Sequence, residues 1–483
     1  MLFVLTAYLS SSCEKEQISP INQEVAFVKY YGHVGAQTAT DVVQTADGGY
    51  ILLGSTNSYS TRQEMDVLVV KTDSLGNELW SSSFGRAAGS LAGDYLRFSE
   101  EGVRIIELPN QSAYIVAANR TYFSYNNASS PAGSGIKGQT KIVLYQLDYA
   151  TGAPRLDEGV ELKQNTYERF TEEVSDMKID TANGVYNYVL TGYTTDIQPN
   201  KPNDNDNGAL DKTDIFTALL NSQFAIQWTT SSLAYGFPRA DYGTSVQILD
   251  GGYLICGTSE EKTNLGSVDP ILLPRIITVI MEKSGGTPLN VSYFTEESYY
   301  FEGGYSVYDS DNGIITIASH VLKKGGSGDD GKVALLQVTE NLTPVTPDAS
   351  GPTHCKYYDL GTRGNKTSGG IHAVASLALV PGNNGFILSS TQGAEGSEFE
   401  SDLCVTKFDK DLEQEEGWPY FFGYADSDRL VLTKDEAGSI IPVTAGAGNQ
   451  ITVSGYVFTG KFGLGTNEMM GLVRLNLNGE LIP

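Results

Sequence analysis

One unit recurs along this chain, and its recurrence constrains the fold more than any other feature. Its first copy runs Asp41–Thr45 (DVVQT), Ala46–Gly49 (ADGG), Tyr50–Thr56 (YILLGST), a connection, Asp66–Asp73 (DVLVVKTD), Ser74–Asn77 (SLGN) and Glu78 to Gly85. Runs of β-branched and aromatic residues fit a pleated strand, and Asp-Gly-Gly and Gly-Asn accept the left-handed backbone of tight hairpins. The unit therefore predicts four strands, A to D, in one antiparallel meander.

Strand B recurs at Tyr114–Ala118, Tyr188–Gly192, Tyr253–Gly257, Ile314–Ala318, Phe386–Ser390 and Ile451–Gly455. Strand C recurs at Lys141–Tyr145, Asp214–Ala218, Ile276–Ile280, Val333–Gln337, Asp402–Thr406 and Gly471–Leu475. With the first copy this makes seven units, spaced by about 57 to about 75 residues, the excess over shorter propeller repeats being loop. The last unit ends where its strand D should begin, while Glu24–Gly32 reads as a strand D with no unit of its own. The expectation is an all-β, seven-bladed β-propeller of four-stranded antiparallel blades. Its closing blade is shared by the N- and C-terminal segments, which removes open sheet edges from the ring. Residues 24–483 form that single domain, after a signal-type segment at 1–13 and a linker at 14–23.

The Asp-Gly-Gly-Tyr turn, the Asp-initiated strand, Gly-Asn, Trp and Phe-Gly together resemble the β-propeller repeats of secreted and surface proteins of the Bacteroidetes. The resemblance implies architecture and export, and no single activity. The opening MLFVLTAYLSSSC is an apolar run, too short to span a bilayer, followed by small residues and Cys13. It resembles the lipobox of bacterial lipoproteins, which implies lipidation of Cys13 and a membrane attachment through that anchor alone. Glu14–Glu16 is similar to sequences that send such lipoproteins to the outer face of the outer membrane. An outer-membrane lipoprotein is thus expected, and a monomer.

A formal net charge of −26 spread along the chain argues against nucleic acid as a partner. Cys256, Cys355 and Cys404 lack the spacing of a zinc or redox motif and read as small buried hydrophobes. His33, His320, His354 and His372 fall in or beside loops of different units without metal-ligand spacing. No nucleophile elbow, P-loop or dinucleotide fingerprint is present, so no catalytic residue and no cofactor is assigned. Trp80, Trp228 and Trp418 all stand at the start of a strand D, and this repeat-equivalent placement favours packing between blades over ligand stacking.

One loop invites a metal. Asn203, Asn205, Asn207 and Asp214, with Gly208 between, follow the order of an EF-hand-like calcium loop, although Asn and Asp replace the first Asp and last Glu. The ordinary alternative is a flexible Asn/Asp/Gly turn.

Short A–B and C–D turns contrast with long B–C connections at 121–140, 194–212 and 259–274. Long loops on a rigid scaffold carry binding, so the B–C/D–A face is the expected functional face. Its D–A segments offer Phe237, Arg239, Tyr242, Tyr299, Tyr300, Tyr424 and Asp426 as ligand-binding residues. The expected partner is a glycan or a protein, bound without catalysis. The rivals are a carbohydrate lyase or hydrolase acting in the same rim, and a structural subunit of an envelope complex.

Overall fold

The computed structural model describes residues 26–481 apart from 59–63, 88, 92–93, 126–139, 163–170, 183, 196–212, 231–239, 264–270, 297, 324–330, 348, 350–353, 364–371, 383, 394–400, 424–433, 447–450 and 465–466. The chain opens with β1 (Phe27–Tyr31). Blade 1 comes next, as β2 (Asp41–Gln44), β3 (Tyr50–Thr56), β4 (Asp66–Thr72) and β5 (Glu78–Phe84). Blade 2 is β6 (Gly89–Leu91), β7 (Asp94–Glu107), β8 (Ala113–Tyr125), β9 (Thr140–Asp148) and β10 (Val160–Glu161). Blade 3 is β11 (Glu172–Ala182), β12 (Val185–Thr194), β13 (Asp214–Leu220) and β14 (Ile226–Thr229). Blade 4 is β15 (Asp241–Ile248), β16 (Tyr253–Thr263), β17 (Ile271–Met281) and β18 (Pro288–Phe294). Blade 5 is β19 (Tyr299–Asp309), β20 (Ile314–Lys323), β21 (Gly331–Thr339) and β22 (Lys356–Tyr358). Blade 6 is β23 (His372–Leu379), β24 (Phe386–Gln392), β25 (Asp402–Phe408) and β26 (Tyr420–Phe422), and blade 7 has β27 (Glu436–Ala445), β28 (Thr452–Leu464) and β29 (Asn467–Leu475).

These are the seven antiparallel meanders of a seven-bladed β-propeller. The ring closes as expected: β1 pairs with β29, Phe27 opposite Arg474 and Tyr31 opposite Met470, and supplies the fourth strand of blade 7. Three details differ from the sequence reading. Blade 2 gains a fifth short strand, β6, on its inner edge. In blade 7 the counterpart of Tyr50–Gly54 is Tyr456–Gly460, five residues beyond the expected Ile451–Gly455. Tyr456 pairs with Leu475 there as Tyr50 pairs with Thr72. The expected connection at 259–274 is largely strand, because β16 and β17 continue their pairing from Tyr253–Met281 out to Thr263–Ile271.

Seven apolar clusters, one per blade interface, form the core. Each is closed by the same device. The C–D turn of every blade carries one residue in the left-handed region: Gly76, Gly152, Phe224, Gly286, Leu342, Leu412 and Gly479, with φ between 61° and 83°. Where that residue is glycine, an aromatic side chain from the preceding blade's strand D lies on it: Phe27 on Gly76, Trp80 on Gly152, Trp228 on Gly286 and Trp418 on Gly479. Where it is Phe224, Leu342 or Leu412, the side chain of the turn residue itself packs into the interface cluster. The tryptophans are therefore packing residues. Trp80 and Trp228 sit third in β5 and β14, and Trp418 precedes β26.

The inner strands are tied to one another near the axis. β-Bulges fall at equivalent places, at Gly102/Arg104, Val174/Asp176, Gly243/Ser245, Glu302/Tyr305, Val374/Ser376 and Ala437/Ile440. A bulge frees a backbone amide from the ladder. Side chains of the neighbouring blade accept such amides: Asp41 from Ile105 (2.9 Å), Asp176 from Val246 (2.9 Å), Ser245 from Ser306 (3.0 Å) and Ser439 from Val42 (2.7 Å).

Candidate functional site

The same bulges turn small side chains toward the axis and leave an axial channel with two chambers. Arg104 and Tyr305 line both and form the waist. Arg104 is fixed there by Asp176 (2.8 Å) and Asp41 (3.7 Å), so three buried or nearly buried charges from blades 1, 2 and 3 hold the constriction. The smaller chamber, 430 Å³, lies toward the A–B turns and is walled by the outgoing halves of the inner strands.

The larger chamber, 670 Å³, lies at the beginnings of the inner strands, which is the B–C/D–A face expected to act. Its wall includes Met65, Glu101, Tyr193, Tyr242, Glu436 and Lys461 above the Arg104–Tyr305 floor. Tyr193 and Tyr242 meet edge to face, with centroids 5.3 Å apart at 76°, and Tyr242 is exposed. Burial pushes the Tyr193 hydroxyl up, reinforced by its hydrogen bond to Glu173, so it stays a protonated donor. Burial, with the nearby Glu173 charge, likewise raises the Glu101 carboxyl. Lys461 is held by Glu436 (2.7 Å) and Glu468 (3.5 Å). The chamber thus offers an aromatic edge and face, carboxylates and an ammonium, fixed on paired strands. Such a set can stack on a ring and hydrogen-bond hydroxyl groups.

Of the ligand-binding residues expected from sequence, Tyr242 lines this chamber. Phe237, Arg239, Tyr424 and Asp426 lie outside the described residues. Tyr299 stacks on Tyr357 (5.1 Å, 19°) against the core between blades 4 and 5, and Tyr300 is half-buried. Asn203, Asn205 and Asn207 also lie outside the described residues, as does Cys13, whereas Asp214 begins β13 opposite Thr194. Among the described residues no three His, Cys, Asp or Glu side chains form a ready-made metal cluster. Cys256, Cys355 and Cys404 are buried thiols that form no disulfide.

Two histidines depart from expectation. His320 lies within β20 and His372 begins β23, both buried, and burial pushes each down to about 4. His372 is fixed between Ser390 (3.2 Å) and the Gly361 carbonyl (2.7 Å). Both are neutral strand residues outside the chamber wall. Sequence reasoning missed Glu101, Arg104, Tyr193, Glu436 and Lys461. The signal was their register beside the bulge, which requires the inner strands to be aligned as well as strands B and C.

No family model matches the sequence, and no curated protein matches it. Solved structures with a similar chain course include a subtype N10 neuraminidase-like protein of A/little yellow-shouldered bat/Guatemala/060/2010, at 11% identity and a TM-score of 0.37 over 74% of this chain and 91% of that one. They also include an α-L-arabinofuranosidase from Lactobacillus brevis (12% identity, TM-score 0.32, 67% and 94% covered). Drosophila Plexin A in complex with Semaphorin 1b is a third (8% identity, TM-score 0.40, 94% and 87% covered). Likenesses this low carry no argument about activity.

Proposed function

We propose that this chain is a non-catalytic binding propeller of the bacterial cell envelope, anchored through Cys13, that holds a glycan in the larger axial chamber. The observation that carries this reading is the Tyr193–Tyr242 pair at a 670 Å³ chamber whose other walls present carboxylates and an ammonium. Aromatic faces pack on the apolar faces of sugar rings, and fixed polar groups select among hydroxyl arrangements. A rigid ring of paired strands meets the need for preorganisation. The acidic surface is consistent with an uncharged or amine-bearing glycan.

The test is a glycan array probed with protein lacking Met1 to Glu16, followed by calorimetry on the best glycan. Tyr242→Ala should weaken binding about tenfold or more, as truncation of an interface anchor does. Undiminished binding by Tyr242→Ala would remove the chamber from the reading, and release of a cleaved product would replace binding by catalysis. Lipidation is tested separately by acyl labelling of the full chain against Cys13→Ser.

A further inference from the structure

Among the described residues two cations line the larger chamber, and neither is left to a ligand. Lys461 is held between Glu436 (2.7 Å) and Glu468 (3.5 Å), and Arg104 between Asp176 (2.8 Å) and Asp41 (3.7 Å). Each positive charge already faces two carboxylates. That arrangement disfavours an anionic ligand, such as an acidic or sulfated sugar.

The side of the chamber built by blades 2, 3 and 4 has the opposite character. One position of the inner strand, just before the bulge, carries a carboxylate in four blades: Glu101 in β7, Glu173 in β11, Glu302 in β19 and Glu436 in β27. Glu436 faces Lys461 across the sheet, and Glu302 faces His320, whose Nδ1 lies 3.7 Å away. Glu101 and Glu173 face Asn119 and Tyr193, which bring no charge. Among the described residues no cation pairs with either of them, and they lie close enough for the Glu173 charge to act on Glu101. Two carboxylates this close repel, and a cation set against both relieves the repulsion.

The aromatic pair adjoins these two acids. Tyr193 donates its hydroxyl to Glu173 and meets Tyr242, which holds the same inner-strand position in β15, edge to face. Glu101 and Tyr242 are both exposed, and both line the chamber. A ring face attracts an ammonium and also packs on the apolar face of a sugar. One ligand carrying both a sugar ring and an ammonium therefore matches the whole arc. N-acetylation would remove that charge, and an acidic sugar would reverse it.

We propose that the larger chamber selects a glycan bearing a free amino group, with a sugar ring on the Tyr193–Tyr242 pair and its ammonium against Glu101 and Glu173. This rests on the glycan reading of the same chamber and narrows it to a cationic amino sugar.

The experiment is calorimetry of the full chain with the β-1,4-linked tetramer of glucosamine, its fully N-acetylated counterpart and a lysine tetramer, for wild type, Glu101→Gln and Tyr242→Ala. Wild type should prefer the free-amine tetramer over the acetylated one by about tenfold or more, the effect of a hydrogen bond between charged partners. Glu101→Gln should cut that ratio to about threefold or less, because a neutral hydrogen bond contributes about half as much as a charge-assisted one. It should melt no lower than wild type, since it removes one of two like charges, and this separates loss of selectivity from loss of the fold. The preference should also fade as pH rises through the titration of the ligand's own amine. Equal affinity for the two tetramers, or a ratio unmoved by Glu101→Gln, overturns the proposal. So does binding of the lysine tetramer as tight as that of the glucosamine tetramer, which would reduce the preference to attraction by the net charge of −26. Failure of both sugar tetramers to bind overturns it as well while leaving the glycan reading to the array. Failure of that broader reading has its own signature, Tyr242→Ala binding every array glycan as wild type does.

Discussion

The blade interfaces offer two solutions to one packing problem, and they should be interchangeable. At the junction of blades 3 and 4, Trp228 lies over Gly286, and its indole N–H donates to the Lys283 carbonyl of the same turn (2.9 Å). At the junction of blades 4 and 5 the equivalent turn residue is Leu342, at φ 61°, which is 3% exposed within the core. Consider Gly286→Leu and Trp228→Ala, alone and together. A Cβ on Gly286 would overlap the indole, so the leucine variant carries a left-handed strain of about 1–2 kcal/mol and an overpacking cost of about 1–3 kcal/mol. Trp228→Ala alone should cost about 3–5 kcal/mol through the cavity it leaves.

In the double variant the leucine enters the space vacated by the indole, which removes the overlap and fills part of the cavity. Only the left-handed strain remains in full, and Leu342 and Leu412 show that the fold bears it. The double variant should therefore be more stable than the sum of the single effects by about 2–3 kcal/mol, within the range of couplings between residues in contact. Urea unfolding of the four proteins, with midpoints and slopes extrapolated to water, measures this directly. Additivity to within about 0.5 kcal/mol would refute the interchange, because it would mean that the two side chains do not share one space.

The buried ionisable groups give three further expected outcomes. Burial raises the Asp241 carboxyl to about 8 against about 4 unfolded, so the unfolded chain sheds its proton first and stability falls as pH rises between those values, at up to about 1.4 kcal/mol per pH unit; Asp241→Asn should abolish that component in pH-dependent urea midpoints. His320 and His372, depressed to about 4, act oppositely: the unfolded chain binds their protons first, so stability is lost as pH falls from about 6.5 toward 4, and His372→Asn should flatten that limb. Arg120→Met should cost about 3–5 kcal/mol by stranding Glu100, whereas Arg120→Met combined with Glu100→Leu should recover most of the loss, and an unchanged melt in the single variant would contradict a paired buried ion.

The ring, its blade number and its closing strand were legible because they depend on short-range patterning: strand composition, Gly-Asn and Asp-Gly turns, and a segment near Glu24 lacking a unit of its own. The blade 7 register was misread by five residues because Ile451–Gly455 has the same apolar, glycine-ended pattern as Tyr456–Gly460. Which copy pairs is decided by β29 across the sheet, and no local signal carries that. The three leucine- and phenylalanine-type turns were also hidden. Glycine announces a left-handed residue, whereas Leu342, Leu412 and Phe224 adopt that conformation with their side chains packed into the interface clusters.

The candidate site was less legible for a related reason. Aromatic side chains on the D–A segments were sought as a rim, but the chamber is shaped by the residues at and just after each bulge of the inner strands. The repeat makes these positions equivalent without making them alike. Blades 1, 3, 4 and 7 use Asp41, Asp176, Ser245 and Ser439 there to accept a neighbour's amide, and blades 2 and 5 instead place Arg104 and Tyr305 in the wall common to both chambers. Closing the ring requires amide acceptors at some of these positions but leaves others free to diverge. Arg104 is the clearest case, because a cation at that position can persist only where Asp176 and Asp41 stand beside it. The waist of the channel is therefore a consequence of how the blades are joined, and the chamber above it inherits its rigidity from the same bonds.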